Sequence, residues 1–208
     1  MGVDYPAPMH ALRIAILPVV LCLVPWLAAA QTAMQGPSAP DLPETEARDS
    51  SGRVTVRAVR LPSALRVDGR LDEAIYQQIK PITGMVQSEP DAGAPFTEKT
   101  ETWVLFDEDS VTVAFRCWDS RPERAVLNEM RRDHGGIAQN DHVSFTIDTF
   151  YDRRNAMSFT ISGIGGRMDG QFTDERLYNG DWNPVWDSAV SRFEGGWRVE
   201  MSVPFKTL

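Results

Sequence analysis

The sequence predicts an all-β domain, an antiparallel β-sandwich of jelly-roll or immunoglobulin-like type with one short helix near its start. Three observations predict it. From Arg53 onward, short segments alternate apolar and polar residues with period two; Gly, Asp and Asn punctuate them; and only one stretch carries helical spacing. Alternation of this kind marks half-buried strands, and many short strands separated by turns pack as a sandwich or a barrel.

Taken in order, the first thirty residues stand apart. Arg13 precedes an apolar run from Ile14 to Leu27 that ends in Ala28-Ala29-Ala30. A basic start, an apolar middle and small residues before Gln31 predict a secretory signal peptide over residues 1–30. The run is shorter than the roughly 20 residues that cross a bilayer, and Pro18 and Pro25 interrupt it. Cys22 lies within the run and not at its end before a small residue, so no lipoprotein signal is read. The chain is therefore expected to be exported, to the periplasm or outer membrane. Residues 31–52 are rich in Pro, Ser, Ala and acids without an apolar period, and predict a flexible linker. The sandwich is expected to fill residues 53–208.

Its first strand alternates Val54, Val56 and Ala58 with Arg53, Thr55 and Arg57. The one helical stretch runs from Asp72 to Ile79, with Leu71, Ile75 and Ile79 on one face and Asp72 as N-cap. Thr100–Phe106 and Ser110–Trp118 flank the acidic turn Asp107-Glu108-Asp109 and predict a hairpin. Val143, Phe145 and Ile147 alternate with Ser144, Thr146 and Asp148. Met157–Ser162, Met168–Phe172, Asp187–Phe193 and Trp197–Val203 complete the set of strands. The chain stops straight after the last of these, which predicts a fragment of a longer protein.

Charge and inventory narrow the function classes. The formal net charge is −8, without a basic cluster, which argues against nucleic acid and anionic lipid surfaces as partners. Once Cys22 leaves with the signal, Cys117 has no internal partner and is expected to point into the core as a small hydrophobe. The serines lack a nucleophile elbow, and His10, His134 and His142 show no metal-ligand spacing, so no catalytic constellation is read. A pair of acids for glycoside hydrolysis is always available in so acidic a chain, and their separation, which decides the mechanism, is not legible.

The segment Leu65–Tyr76, LRVDGRLDEAIY, resembles the opening of carbohydrate-binding module family 9 domains. Asp68-Gly69 reads as a tight turn and Tyr76 as the aromatic that packs the helix on the sandwich, where the family usually has Trp. The likeness continues through Thr102–Asp107, Ala114–Asp119, Asp141–Asp148, Gly195–Glu200 and Val203–Lys206. Arg132-Asp133, Asp148-Thr149-Phe150 with Asp152-Arg153-Arg154, and Asp181–Trp186 are similar to a group of exported bacterial proteins. In that group such a domain precedes a large outer-membrane β-barrel.

The resemblance implies a non-catalytic domain that binds an oligo- or polysaccharide, associated with glycoside hydrolase activity through family architecture. Such modules sandwich a sugar ring between aromatic faces and hold its hydroxyls with polar side chains. The candidate ligand-binding residues are Trp182 and Trp186 for stacking, with Tyr178, Asn179 and Asn183 beside them and Arg132 and Asp133 orienting or supporting. Both tryptophans can equally anchor their loop on the sandwich. The family's stacking Trp falls near Ala138, and its polar contacts fall near Ser144 and Thr160, so that set is not reproduced. This departure favours the alternative, a periplasmic docking or regulatory domain of an outer-membrane β-barrel that does not bind sugar. Family 9 modules often carry structural calcium, and Asp107, Asp109, Asp169, Asp174, Asp181 and Asp187 are the candidate acids.

Overall fold

The computed structural model describes residues 36–208, so the expected signal peptide and the start of the expected linker lie outside the described residues. The first strand falls inside the segment read as linker. Here β1 (Glu46–Arg48) pairs antiparallel with β2 (Val54–Val56). One acidic side chain accounts for the hairpin. Asp49 accepts hydrogen bonds from the Ser51 hydroxyl, the Ser51 and Arg53 amides and Arg53 Nε, and these hold its carboxyl at about 2. Thr45 is buried and donates to the Lys80 carbonyl at 2.7 Å, which ties the ribbon to the domain. Val54 and Val56 are 39% and 41% exposed, so the alternation that marked the strand does not bury its valines.

The sandwich consists of two sheets. Strands β3 (Val59–Arg60), β4 (Thr100–Phe106), β5 (Ser110–Trp118), β10 (Asp187–Phe193) and β11 (Gly196–Pro204) form one, in the order β10-β11-β5-β4-β3. Strands β6 (His142–Ile147), β7 (Ala156–Ser162), β8 (Arg167–Thr173) and β9 (Leu177–Asn179) form the other in sequence order. All pairs in both sheets are antiparallel except β3 with β4, which is parallel. The acidic turn joins β4 to β5 because Asp107 Oδ1 accepts from the Asp109 and Ser110 amides, both at 2.8 Å.

The core lies where the alternating faces meet. From β5 and β11 it takes Val113, Phe115, Cys117, Val199 and Met201; from β7, Phe159 and Ile161. Phe145 on β6 stands opposite Phe159 in register and stacks on it with centroids 5.0 Å apart. Cys117 is buried as expected, and burial pushes its thiol up to about 12.

A second apolar cluster covers the outer face of the five-stranded sheet. Leu61, Leu71, Tyr76 and Ile79 pack there on Trp103, Leu105 and Ala114. The helical stretch is shorter than predicted: α1 covers Ile75–Gln78 only, and Ala74 stands at its N-cap without a side-chain bond. Asp72 does not cap it. Leu71 takes a left-handed conformation (φ 54°) and buries its side chain in the cluster from the turn ahead of the helix, not from a helical face. Glu200, fully buried on β11, pins this layer. Its Oε2 accepts from the Asp68 and Gly69 amides at 2.9 and 2.8 Å, and its Oε1 from the Tyr76 hydroxyl at 2.7 Å. Gly69 is required in that turn: φ is +75°, and a Cβ would stand 2.9 Å from the Ala189 carbonyl oxygen.

Candidate functional site

Four of the residues expected to touch ligand converge on Asp169 of β8, which the sequence offers only as one of the candidate calcium acids. Its Oδ2 accepts from Arg132 Nη2 at 2.7 Å and from Trp186 Nε1 at 2.9 Å. The Asp169 amide donates to Asp133 Oδ1 at 3.2 Å, and the Tyr178 hydroxyl donates to the Asp169 carbonyl at 3.1 Å. Burial, with Oδ1 left unpartnered, pushes the Asp169 carboxyl up, against the lowering pull of the Trp186 N–H and the Arg132 charge.

This arrangement is a clamp. Trp186 is 3% exposed, edge-on to Phe159 with centroids 5.5 Å apart, and presents no open face for stacking. Arg132 also reaches the Pro184 carbonyl at 3.4 Å, so the loop before β10 and the loop before β6 are both tied to β8. Tyr178 lies on β9, not in a loop, with its ring over Gly170, where a Cβ would stand 2.4 Å from the ring. Trp182 is half-buried against Phe159, while Asn183 and Asn179 are exposed. Ala138 is exposed in the short helical turn Gly135–Gln139, and the Ser144 and Thr160 hydroxyls lie 2.8 Å apart across β6 and β7. The acids considered for calcium are dispersed. Among the described residues no three His, Cys, Asp or Glu side chains come together to hold one ion.

A cleft of about 500 Å³ opens between β5 and the edge strand β6. Phe115, Cys117, Val143 and Trp197 form its floor, and Phe96, 43% exposed, forms a wall. Phe115, Cys117 and Trp197 are core side chains only 6–7% exposed, so the cleft reaches the edge of the core without laying it open. Asp119, Arg121, Arg124 and His142 stand on the rim. Asp119 Oδ1 accepts from the Arg121 amide at 2.8 Å, which fixes the backbone that carries the arginine. His142 Nδ1 lies 2.7 Å from the Asn140 carbonyl; a carbonyl only accepts, so Nδ1 carries a hydrogen and the neutral ring offers Nε2 as an acceptor.

The cleft also runs along unpaired backbone. Ser162 N–H donates to the Gly166 carbonyl, so its peptide points toward β8, and the alternation turns Ile161, Phe159 and Met157 toward β6. Their partners Val143, Phe145 and Ile147 point back. The N–H and C=O groups of His142, Ser144 and Thr146 therefore face outward, and no strand pairs with that edge among the described residues.

An aromatic floor with neutral and charged hydrogen-bonding groups on the rim suits an amphipathic ligand with apolar faces and polar edges. Sequence reasoning missed the cleft because Phe96, Phe115, His142 and Trp197 are far apart in the chain.

No protein-family model and no curated protein matches the chain. Among solved structures, a carbohydrate-binding module of family 9 from Caldicellulosiruptor kristjanssonii, in complex with cellotriose, is similar over 71% of this chain and 66% of that one, at 16% identity and a TM-score of 0.49. The same module with glucose is similar over 72% and 69%, at 15% identity and a TM-score of 0.49. A provisionally assigned carbohydrate-binding protein from Bacteroides uniformis is similar over 72% of each chain, at 10% identity and a TM-score of 0.55. This chain therefore shares the β-sandwich fold of the Bacteroides protein.

Proposed function

We propose that this chain is a non-catalytic carbohydrate-binding domain of an exported protein, and that its ligand lies in the cleft beside β6. The observation that carries the reading is the exposed aromatic wall of Phe96 over a floor of Phe115 and Trp197, rimmed by Arg121, Arg124 and His142. Sugar rings present apolar C–H faces to aromatic planes, and their hydroxyls need paired donors and acceptors. Arg132, Asp133 and Trp186 support the loops tied to β8 and do not line the cleft. The fold likeness and the resemblance of Leu65–Tyr76 to family 9 modules agree with this reading.

Retention on a panel of immobilised neutral glycans tests it. Phe96→Ala and His142→Ala are each expected to weaken retention about tenfold, the loss of roughly 1.4 kcal/mol, with the melting midpoint unchanged. Retention that survives both substitutions, or its absence in the wild type, would sink the cleft assignment.

The unpaired edge of β6 favours a second reading, a docking domain for an outer-membrane β-barrel that takes an extended segment as an added strand. Binding of strand-forming peptides in place of any glycan, with loss of exchange at the His142, Ser144 and Thr146 amides, would select it.

A further inference from the structure

At the opposite end of the four-stranded sheet, the loop from Asp148 to Asn155 displays two aromatic side chains to solvent, with the Arg153 guanidinium 5.9 Å from the Tyr151 ring centre. Phe150 and Tyr151 are 70% and 73% exposed. The loop beneath them is held from several sides. Asp148 accepts from the amides of Phe150, Asp152 and Arg153, and Asp152 from those of Arg154 and Asn155. Arg154 joins Asp174 in the facing β8–β9 turn at 2.7 Å, and the Glu175 amide donates to the Arg154 carbonyl at 2.8 Å. Tyr151, Arg153, Asp174 and Glu175 all hold left-handed backbone conformations that side chains disfavour. The two turns are thus joined to each other, with Phe150 and Tyr151 exposed beside them.

Beside Phe150 lies a groove of about 180 Å³ between the β6–β7 loop and the end of β8. Its polar groups come from Thr149, Asn155, Gln171 and Thr173, and its apolar surface includes Phe150 and Phe172. No ionisable side chain lines it. Asn155 Nδ2 donates to Asp152 Oδ2 at 2.6 Å, which orients the amide and leaves its Oδ1 as an acceptor. Hydroxyls, carboxamides and an exposed aromatic plane match a neutral polyhydroxylated ring; the absence of ionisable side chains gives a phosphate, a sulfate or an amino group no counter-charge. The volume of about 180 Å³ lies below the roughly 300–1,000 Å³ of drug-sized pockets and is of the size of a single ring.

We propose that this groove is a second saccharide site, which takes a single neutral pyranose unit stacked on Phe150 with its hydroxyls on Asn155, Gln171 and Thr173. The proposal extends the saccharide reading of the cleft to the other end of the sandwich, and the two are tested apart in one experiment. The full chain is titrated with glucose, xylose, mannose and cellotriose while its assigned NMR resonances are followed. The expected result is a saturable shift of the Asn155 and Gln171 side-chain amides, with affinity reduced at least tenfold in Phe150→Ala and in Gln171→Ala. Both variants should keep the wild-type melting midpoint and the wild-type response of the Trp197 indole. Shifts confined to the cleft would overturn the second site and leave the first standing. Shifts confined to the groove would uphold the second site and remove the first, and silence at both ends would overturn both. Unchanged groove affinity in both variants would likewise refute the stacking and the amide contact.

Discussion

Replacing Glu200 by alanine is expected to destabilise the domain by about 3–5 kcal/mol, because two buried donors and one half-buried donor lose a shared acceptor. The Asp68 amide, the Gly69 amide and the Tyr76 hydroxyl all end on its carboxylate. A buried donor left without a partner costs about 1–3 kcal/mol, so three of them give roughly 3–9 kcal/mol before relaxation. Relief of the carboxylate's own burial removes part of that and favours the lower half. For a domain of this size the melting midpoint should fall by about 10 °C, at roughly 2–4 °C per kcal/mol. Tyr76→Phe removes one of the three bonds and should cost about 1–2 kcal/mol. The double variant should then be less destabilised than the sum of the singles, since the hydroxyl has nothing left to donate to. Urea unfolding followed by circular dichroism reads all three. A cost below about 1 kcal/mol for Glu200→Ala, or strict additivity with Tyr76→Phe, would refute the pin.

Two further outcomes follow from the core. Phe159→Ala opens a fully buried site between Phe145, Trp182 and Trp186, and should cost about 3–5 kcal/mol in the same assay. Burial raises the Cys117 thiol to about 12 and raises the Tyr76 phenol above its ordinary value; both acids are favoured protonated in the fold, so their contribution is complete below the unfolded values and is lost as pH rises. Stability should therefore decline from about pH 9 upward, and Cys117 should resist alkylation at pH 8 until denaturant is added.

The strands that face a core on one side were legible because alternation reports that geometry directly. β4, β5 and β10 begin and end where the pattern and the acidic turn place them. The same pattern misjudged Val54 and Val56, since alternation records two faces without recording whether anything covers either. β1 was illegible for a different reason: Glu46-Ala47-Arg48 has no strand signal of its own, and its order comes from Asp49, Thr45 and pairing with β2. The helix was read too long because Leu71, Ile75 and Ile79 fit one helical face in sequence, whereas in space Leu71 stands in a left-handed turn and only Ile75–Gln78 are helical. At the site, Arg132, Asp133, Tyr178 and Trp186 were singled out together, and the structure gathers them around Asp169. A tryptophan that closes a clamp and one that offers a face look the same in a sequence; only burial separates them. The cleft was beyond reach because its wall, floor and rim come from four separate parts of the chain.

The position of β11 carries a consequence for how the molecule is made. It follows both of its sheet neighbours, β5 and β10, in sequence, yet it lies between them. Until residues 196–204 have been synthesised, the hairpin of β4 and β5 ends in a bare edge, β10 has no partner, and the donors at Asp68, Gly69 and Tyr76 await an acceptor. Closure of the five-stranded sheet is thus a late insertion across a separation of about 80 residues, the kind of long-range step that slows folding. During that interval the nascent chain exposes two apolar strands of matching register, which makes it a substrate for holding factors and a hazard to its neighbours.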